Sequence, residues 1–437
     1  MRRAAGLALA FALLRASAAL AAPGGGSSGF HGGGGGGGGG FRGGGGVVGG
    51  GAGGLGVFVL IFVVIVIVVA MSAIRTMKLR KRRAEREARV TTAAAEAAAE
   101  DPDFDADALR ERARQLYVEI VEAWTARDRE GLRARIGGDL LVEWERRLDD
   151  FDRKGWHNLC SIHAGPEIQL LGLVNREADA DDRVTFRIQA TLRDVVTDRN
   201  GAVITRGESR SEFVAQREWW TLGKRGDEWI LISIEQDAEG AHHLDEAIVA
   251  TPWGDDSRLR DTAVTELATD SKLEDGQIAE IADVGFEGSA RAHALDLSNV
   301  DGRFAPDVLE AAARRAVEAW AEAVDGDDAP LERIATPDAI QALLYPGDPS
   351  RRTRLVVRGP RLQKLTIAAL HAEATPPAMV VEAELRGRRY REDRDTAARI
   401  DGSAEREVAF TERWTMTLDG SDDAPWRIAE AGAPAGR

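Results

Sequence analysis

The chain has one cysteine in 437 residues, Cys160, so no intrachain disulfide can brace it. A lone thiol fits a reducing compartment. Acidic residues are absent from positions 1–83, which hold ten basic ones: Arg2, Arg3, Arg15, Arg42, Arg75, Lys78, Arg80, Lys81, Arg82 and Arg83. The net charge of −15 therefore leaves −25 on residues 84–437. A body that acidic repels nucleic acid and anionic lipid over most of its surface. No basic motif interleaved with aromatics counters this, so nucleic acid is not an expected partner. The glycine-rich segment near the N-terminus lacks the strand–loop–helix setting that a phosphate cradle needs.

Charge is also missing between Leu55 and Ile74. Twenty apolar residues at about 1.5 Å each reach the roughly 30 Å of a bilayer's hydrocarbon core. The basic cluster from Arg75 to Arg83 follows at once. This order predicts a transmembrane helix over 55–74 with its C-terminal side in the cytoplasm. Lys78, Arg80, Lys81, Arg82 and Arg83 are then the candidates for lipid headgroup contact. Upstream, Met1-Arg2-Arg3 and the apolar run Ala4–Leu14 read as a signal peptide over 1–21, cleaved after Ala21; an uncleaved first anchor is the alternative. Residues 22–54 read as a disordered glycine-rich arm outside the cell. Residues 75–101 form a basic collar and spacer, whose alanine- and glutamate-rich part lacks an apolar stripe and reads as solvated and partly helical.

Folded sequence begins at Pro102. Leu109, Ala113, Leu116, Tyr117, Ile120, Val121 and Trp124 recur at helical spacing, with Asp105 as N-cap. A second helix follows Gly137-Gly138-Asp139, with Leu141, Trp144, Leu148 and Phe151 inward. Beyond Gly165-Pro166 the period becomes two: Val184, Phe186, Ile188, Ala190 and Leu192 alternate with polar neighbours. Phe213–Leu222 and Glu228–Ile234 read as a hairpin. Helices followed by a meander of strands make an α+β plan. The pattern returns after a linker at 241–300, in which Leu259, Ala263, Leu267 and Leu273 suit a short helix. Phe104-x4-Leu109 is matched by Phe304-x4-Leu309, and Phe213-Val-Ala-Gln-Arg-Glu-Trp219 with Trp229 by Phe410-Thr-Glu-Arg-Trp414 with Trp426. Leu355–Val357, Lys364–Ala374 and Met379–Leu385 supply further strands. The domains are therefore 102–240 and a diverged second copy at 301–437.

The block Asp101-Pro-Asp-Phe104, the helix with Tyr117-x2-Ile120-x3-Trp124, and Arg127-Asp128-x3-Leu132-Arg133 before Asp139-Leu-Leu-x2-Trp144 resemble the Tim-forty-four-like domain family. So do Glu218-Trp219-Trp220-Thr221 and Trp229-x4-Ser233-Ile-Glu235-Gln236. The layout of signal, glycine arm, transmembrane helix and basic collar is similar to bacterial members. The resemblance covers about residues 101–240. It implies a cystatin-like and nuclear-transport-factor-two-like cone, with helices packed on a curved antiparallel sheet around an apolar pocket. Mitochondrial relatives bind acidic phospholipid and tether a chaperone motor to an import channel. The expected protein is thus a non-enzymatic tether with two such domains at the cytoplasmic membrane face, its partners lipid, a membrane protein complex or a chaperone. The resemblance supplies no catalytic motif. The alternative is a membrane-tethered hydrolase or isomerase using the cone pocket.

Trp124, Trp144, Trp219, Trp229 and Glu218 are the pocket-lining candidates. Trp219 and Trp220 must face opposite sides of a strand. Glu218 inside a cone suits a general base, but nothing in the sequence pairs it with an electrophile, so no catalytic residue is assigned. His157-x2-Cys160-x2-His163 has no fourth ligand and reads as an ordinary loop. His242-His243-Leu-Asp245-Glu246 reads as the acidic start of the linker, because adjacent histidines diverge in helix or strand. No metal or cofactor is expected. Arg351, Arg352, Arg354, Arg358, Arg361 and Lys364, with Arg386, Arg388, Arg389 and Arg391, form basic islands that read as solvated surface; lipid or an acidic partner is the sharper reading. Orientation is testable at Cys160: an impermeant thiol reagent should leave it unlabelled in intact cells, and robust labelling would reverse the topology.

Overall fold

The computed structural model describes residues 53–204, 212–254, 284–421 and 423–432. The signal peptide, nearly all of the glycine arm and the helix expected near Leu259–Leu273 lie outside these residues. Helix α1 (Gly53–Ala97) runs for 45 residues from the apolar stretch through the basic collar. Among the described residues no helix is long and apolar enough to cross a membrane. The side chains of residues 53–66, which hold most of the expected span, lie outside those described.

The far end of α1 differs from the expected solvated spacer. Arg86, Val90, Ala94 and Ala97 recur along one helical face and are buried against the first domain. Arg86 Nε donates to the Leu171 carbonyl and Nη1 to that of Glu246, both at 2.8 Å. Two alanines, a valine and an arginine seal this face, so no run of large apolar side chains marks it in the sequence.

Next come α2 (Ala106–Ala126), α3 (Arg129–Arg135) and α4 (Gly138–Lys154). Asp105 caps α2 by accepting from the Asp107 and Ala108 amides, and Asp128 caps α3 through the Gly131 amide; such caps stabilise a helix by about 1 kcal/mol. The helices pack on an antiparallel meander of β1 (His157–Val174), β2 (Arg183–Thr197), β3 (Phe213–Arg225) and β4 (Glu228–Gln236). Strand β1 starts at His157 and passes through Gly165-Pro166 with register shifts, so the stretch expected as a loop is strand. His157 Nε2 lies 2.8 Å from the Thr125 carbonyl, while His163 stacks near Phe213. Cys160 is buried, and burial together with Asp194 pushes its thiol up. A folded Cys160 should therefore resist the reagent on either side of the membrane, so only its labelling in intact cells would bear on orientation.

The second unit repeats this order. Part of the expected linker belongs to it: β5 (Val284–Phe286) pairs parallel with a later strand, and α5 (Ala290–Ser298) follows. Then come α6 (Pro306–Asp325), α7 (Ala329–Ile334) and α8 (Pro337–Leu344). The strands are β6 (Thr353–His371), β7 (Ala378–Asp393), β8 (Ala398–Gly402), β9 (Val408–Ser421) and β10 (Ala424–Gly432), in the order β10-β9-β7-β6-β5, with β8 beside β7. Leu355–Val357 and Lys364–Ala374, expected as separate strands, fall on the two ends of β6, which stops at His371 and shifts register between Arg358 and Arg361.

The copies agree in detail. Asp101 caps a short 3-10 turn through the Asp103 amide, and Asp301 caps its counterpart through that of Arg303. Phe104 meets Trp229 edge-on at 5.6 Å, and Phe304 meets Trp426 edge-on at 5.7 Å. Trp220, not Trp219, is the structural counterpart of Trp414: Trp220 packs on Tyr117 of α2 and Trp414 on Trp320 of α6. The fold is α+β, with helices laid on antiparallel sheets.

A charged seam joins the units. Asp139, at the start of α4, receives Arg354 and Arg394 from the second unit. Arg354 Nη2 also donates to Asp328 at 2.6 Å and to the Ala323 carbonyl at 2.7 Å. Arg146 reaches Asp395 at 2.7 Å. Asp139→Ala would remove the carboxylate that two buried guanidinium groups share, leaving Arg354 to Asp328 and Arg394 to Tyr345 and the Arg351 carbonyl, a loss of up to about 3 kcal/mol. Chemical denaturation of the full chain in detergent should show a correspondingly lower midpoint, and an unchanged midpoint would mean that Asp139 does not carry the seam.

Candidate functional site

The cone interior of the first unit is filled by its own side chains. Trp124 and Trp144 meet edge-on at 5.0 Å, and Trp124 Nε1 donates to Asn158 at 2.7 Å. Trp229 sits at the other end against Phe104, with the Lys224 ammonium 5.5 Å from its ring. Trp219 lies on the opposite sheet face with Leu171 and Leu244, 5.5 Å from the His243 ring. That face is covered by the short helix Gly240–Leu244. Glycine at 240 makes the approach possible, since a Cβ there would collide with the Trp219 ring. The structure thus brings Trp124 and Trp144 together and separates Trp219 from them.

Glu218 is 1% exposed and faces the cone core. It accepts from Gln216 Nε2 at 2.7 Å and Trp220 Nε1 at 3.0 Å, and Tyr117 donates to Gln216 at 2.6 Å. Burial lifts its carboxyl to about 8, against the pull of those two donors.

The headgroup candidates divide into two groups. Lys78, Arg80 and Lys81 are exposed. Arg82 pairs with Asp245 at 2.6 Å and Arg83 with Asp237 at 3.1 Å, which ties the collar to the first domain. Eight of the ten basic-island residues pair with carboxylates of the chain, although Arg352, Lys364 and Arg386 stay more than half exposed. Arg354 and Arg358 are buried in the seam, Arg352 pairs with Asp393, Arg361 and Arg386 with Glu407, and Arg389 with Glu412. Lys364 faces Glu384, and Arg391 faces Asp401.

Among the described residues a close convergence of titratable groups lies at the seam, where the sequence suggested a solvated linker. His242 and His243 stack with ring centroids 4.1 Å apart. The tight 3-10 turn brings the two adjacent side chains together. His243 contacts Glu235 through Nε2 and Glu246 through Nδ1, each at 2.7 Å. Burial opposes a charge on His243, but those two carboxylates outweigh it and hold the imidazole well above its ordinary range. Burial likewise opposes ionising Glu235, but His242 and His243 hold it down at about 2. From the second unit, Asp325 places Oδ2 3.5 Å from His242 Nε2. Clefts of about 350 and 320 Å³ flank the cluster, and both are lined by Glu246, Glu322 and Asp325. None of the five pocket candidates lines either cleft. Glu235, His242 and His243 offer ligand atoms within 4.8 Å of one another, a set suited in kind to a metal ion.

The Glu218 environment gives a signed pH effect. Between pH 4.5 and about 8 the folded state keeps a proton that the unfolded chain releases, so this group's stabilisation is lost as pH rises through that window. Glu218→Gln should remove that decline. Denaturant titrations across the range should show a wild-type slope steeper than the variant's by about 1.4 kcal/mol per pH unit; parallel slopes would refute the assignment.

No curated protein matches the chain. Among solved structures, the intermembrane space region of chloroplast protein ARC6 aligns at 10% identity and a TM-score of 0.23, covering 29% of this chain and 95% of that one. A family model does match, at residues 90–236, from the buried end of α1 to the last residue of β4. The chain carries a Tim44-like domain.

Proposed function

We propose that this chain is a non-enzymatic binding or tethering protein that presents two cone-shaped domains at the cytoplasmic face of a membrane. A Tim44-like domain points to a membrane-associated role in protein translocation or binding. The observation that carries the finer reading is the docking of α1. Arg82, Arg83 and Arg86 bind the helix that follows the apolar run directly to the first domain, so no free spacer separates the two. A helix fixed in this way sets the height and orientation of the domain relative to whatever anchors Leu55–Ile74. Lys78, Arg80 and Lys81 lie just beyond that run, where anionic headgroups would meet them.

The filled interior of the first cone supports binding through outer surfaces rather than chemistry inside. A hydrolase or isomerase would need Glu218 to meet a substrate, and its buried carboxyl group is taken up by Gln216 and Trp220, with Tyr117 bonded to Gln216 behind it. With most of the basic-island residues paired internally, an acidic body remains to face protein partners. The expected partner is a membrane protein complex or a chaperone. Crosslinking in the native membrane followed by mass spectrometry should recover one at specific sites on the two cones. Recovery of lipid-proximal contacts alone, with no protein crosslinked, would contradict the tether.

A further inference from the structure

We propose that the seam between the two units is a divalent transition-metal site, of a kind suited to Zn2+, with His242 Nε2, Glu246 Oε1 and Asp325 Oδ2 as the protein ligands. His242 and Glu246 follow the first sheet, and Asp325 ends α6 of the second unit, so the ion would clasp one unit to the other.

Geometry carries the argument. His242 Nε2 lies 3.3 Å from Glu246 Oε1 and 3.5 Å from Asp325 Oδ2. Ligand bonds of 2.0–2.2 Å set the edges of a tetrahedron at about 3.3–3.6 Å. The His242 side chain is 7% exposed, and its Nε2 has no hydrogen-bond partner although it is buried. Nδ1 of the same ring donates to the Glu239 carbonyl at 2.9 Å, so the neutral ring carries its lone pair on Nε2. That lone pair faces two carboxylate oxygens. Only a cation between them, a proton or a metal ion, relieves the repulsion.

Each ligand is also held from behind, as metal ligands characteristically are. Glu239 fixes the His242 tautomer. His243 Nδ1 holds Glu246 Oε2 at 2.7 Å, leaving Oε1 for the ion. Arg358 Nη1 holds Asp325 Oδ1 at 2.9 Å, leaving Oδ2. Gly359, at φ +56, packs so closely that a Cβ there would come within 2.7 Å of the His242 ring. The backbone of β6 thereby limits where the ring can go. Glu246 is 47% exposed at the mouth, and the cleft of about 350 Å³ bordered by all three ligands gives the ion a way in and solvent a fourth position. The remaining charges facing the cluster are Glu235, Asp245, Glu322, His243, Arg358 and Arg361, so no excess of positive charge bars a dication. The assignment rests on the seam alone and stands or falls independently of the tethering role.

The test is a titration of the metal-free full chain in detergent with Co2+, read by its visible d–d bands, followed by displacement with Zn2+. One ion per chain with tetrahedral-type bands is expected. His242→Ala and Asp325→Asn should each weaken binding at least tenfold. Glu246→Gln, at the exposed mouth and least disruptive to folding, should weaken it as well. His163→Ala, on β1 away from the seam, should leave it unchanged. Absence of saturable uptake by the wild-type chain would overturn the proposal and leave a proton as the cation. Uptake that survives unchanged in the Glu246 variant and in whichever of the other two variants folds would overturn it equally.

Discussion

Asp325 stands where the molecule's separate parts meet. It ends α6, its carboxylate takes Arg358 from β6, and its other oxygen turns toward His242 beyond the first sheet. Arg358 extends the same link by donating to the Ile234 carbonyl of β4 at 3.4 Å. Buried charges at a junction cost several kcal/mol each to desolvate and are tolerated only when paired. The seam therefore favours one relative placement of the two cones. Tyr390 adds a hydrogen bond to Glu239 at 3.4 Å, and the turn after β7 lays Arg394 and Asp395 on α4.

The same constraint reaches the juxtamembrane helix. Asp245 and the Glu246 carbonyl, which flank the histidine cluster, are held by Arg82 and Arg86 of α1. Helix, first cone and second cone thus share one short segment, Gly240–Glu246. A change at that segment would be felt at the membrane side and at the seam together. The repeat underlies this arrangement but does not explain it: the Phe–Trp pairs and capping aspartates recur in both copies, whereas the seam residues serve different roles in each.

Much of the architecture was legible from periodicity. The apolar face of α2, the hairpin of β3 and β4, and the return of Phe104 as Phe304 all depend on local spacing, and they appear where expected. The misreadings have a common cause. Arg354 and Asp139 are 215 positions apart, and no local rule pairs them, so a neutralised seam looked like a basic island. The buried face of α1 is made of alanine and valine with one arginine and so carries no apolar stripe. His242 and His243 diverge in ideal helix or strand, but a 3-10 turn stacks them. Trp219 and Trp220 were separated onto opposite faces correctly, yet the sequence could not say that the outer ring would be roofed by Gly240–Leu244.

The central claim is that the seam holds the two cones in one relative placement. Paired spin labels at Glu122→Cys and Asp338→Cys in a Cys160→Ser background report it directly by pulsed electron resonance. A single narrow distance distribution is predicted for the full chain in detergent and in bilayers. A broad distribution, or one that shifts between the two environments, would contradict it.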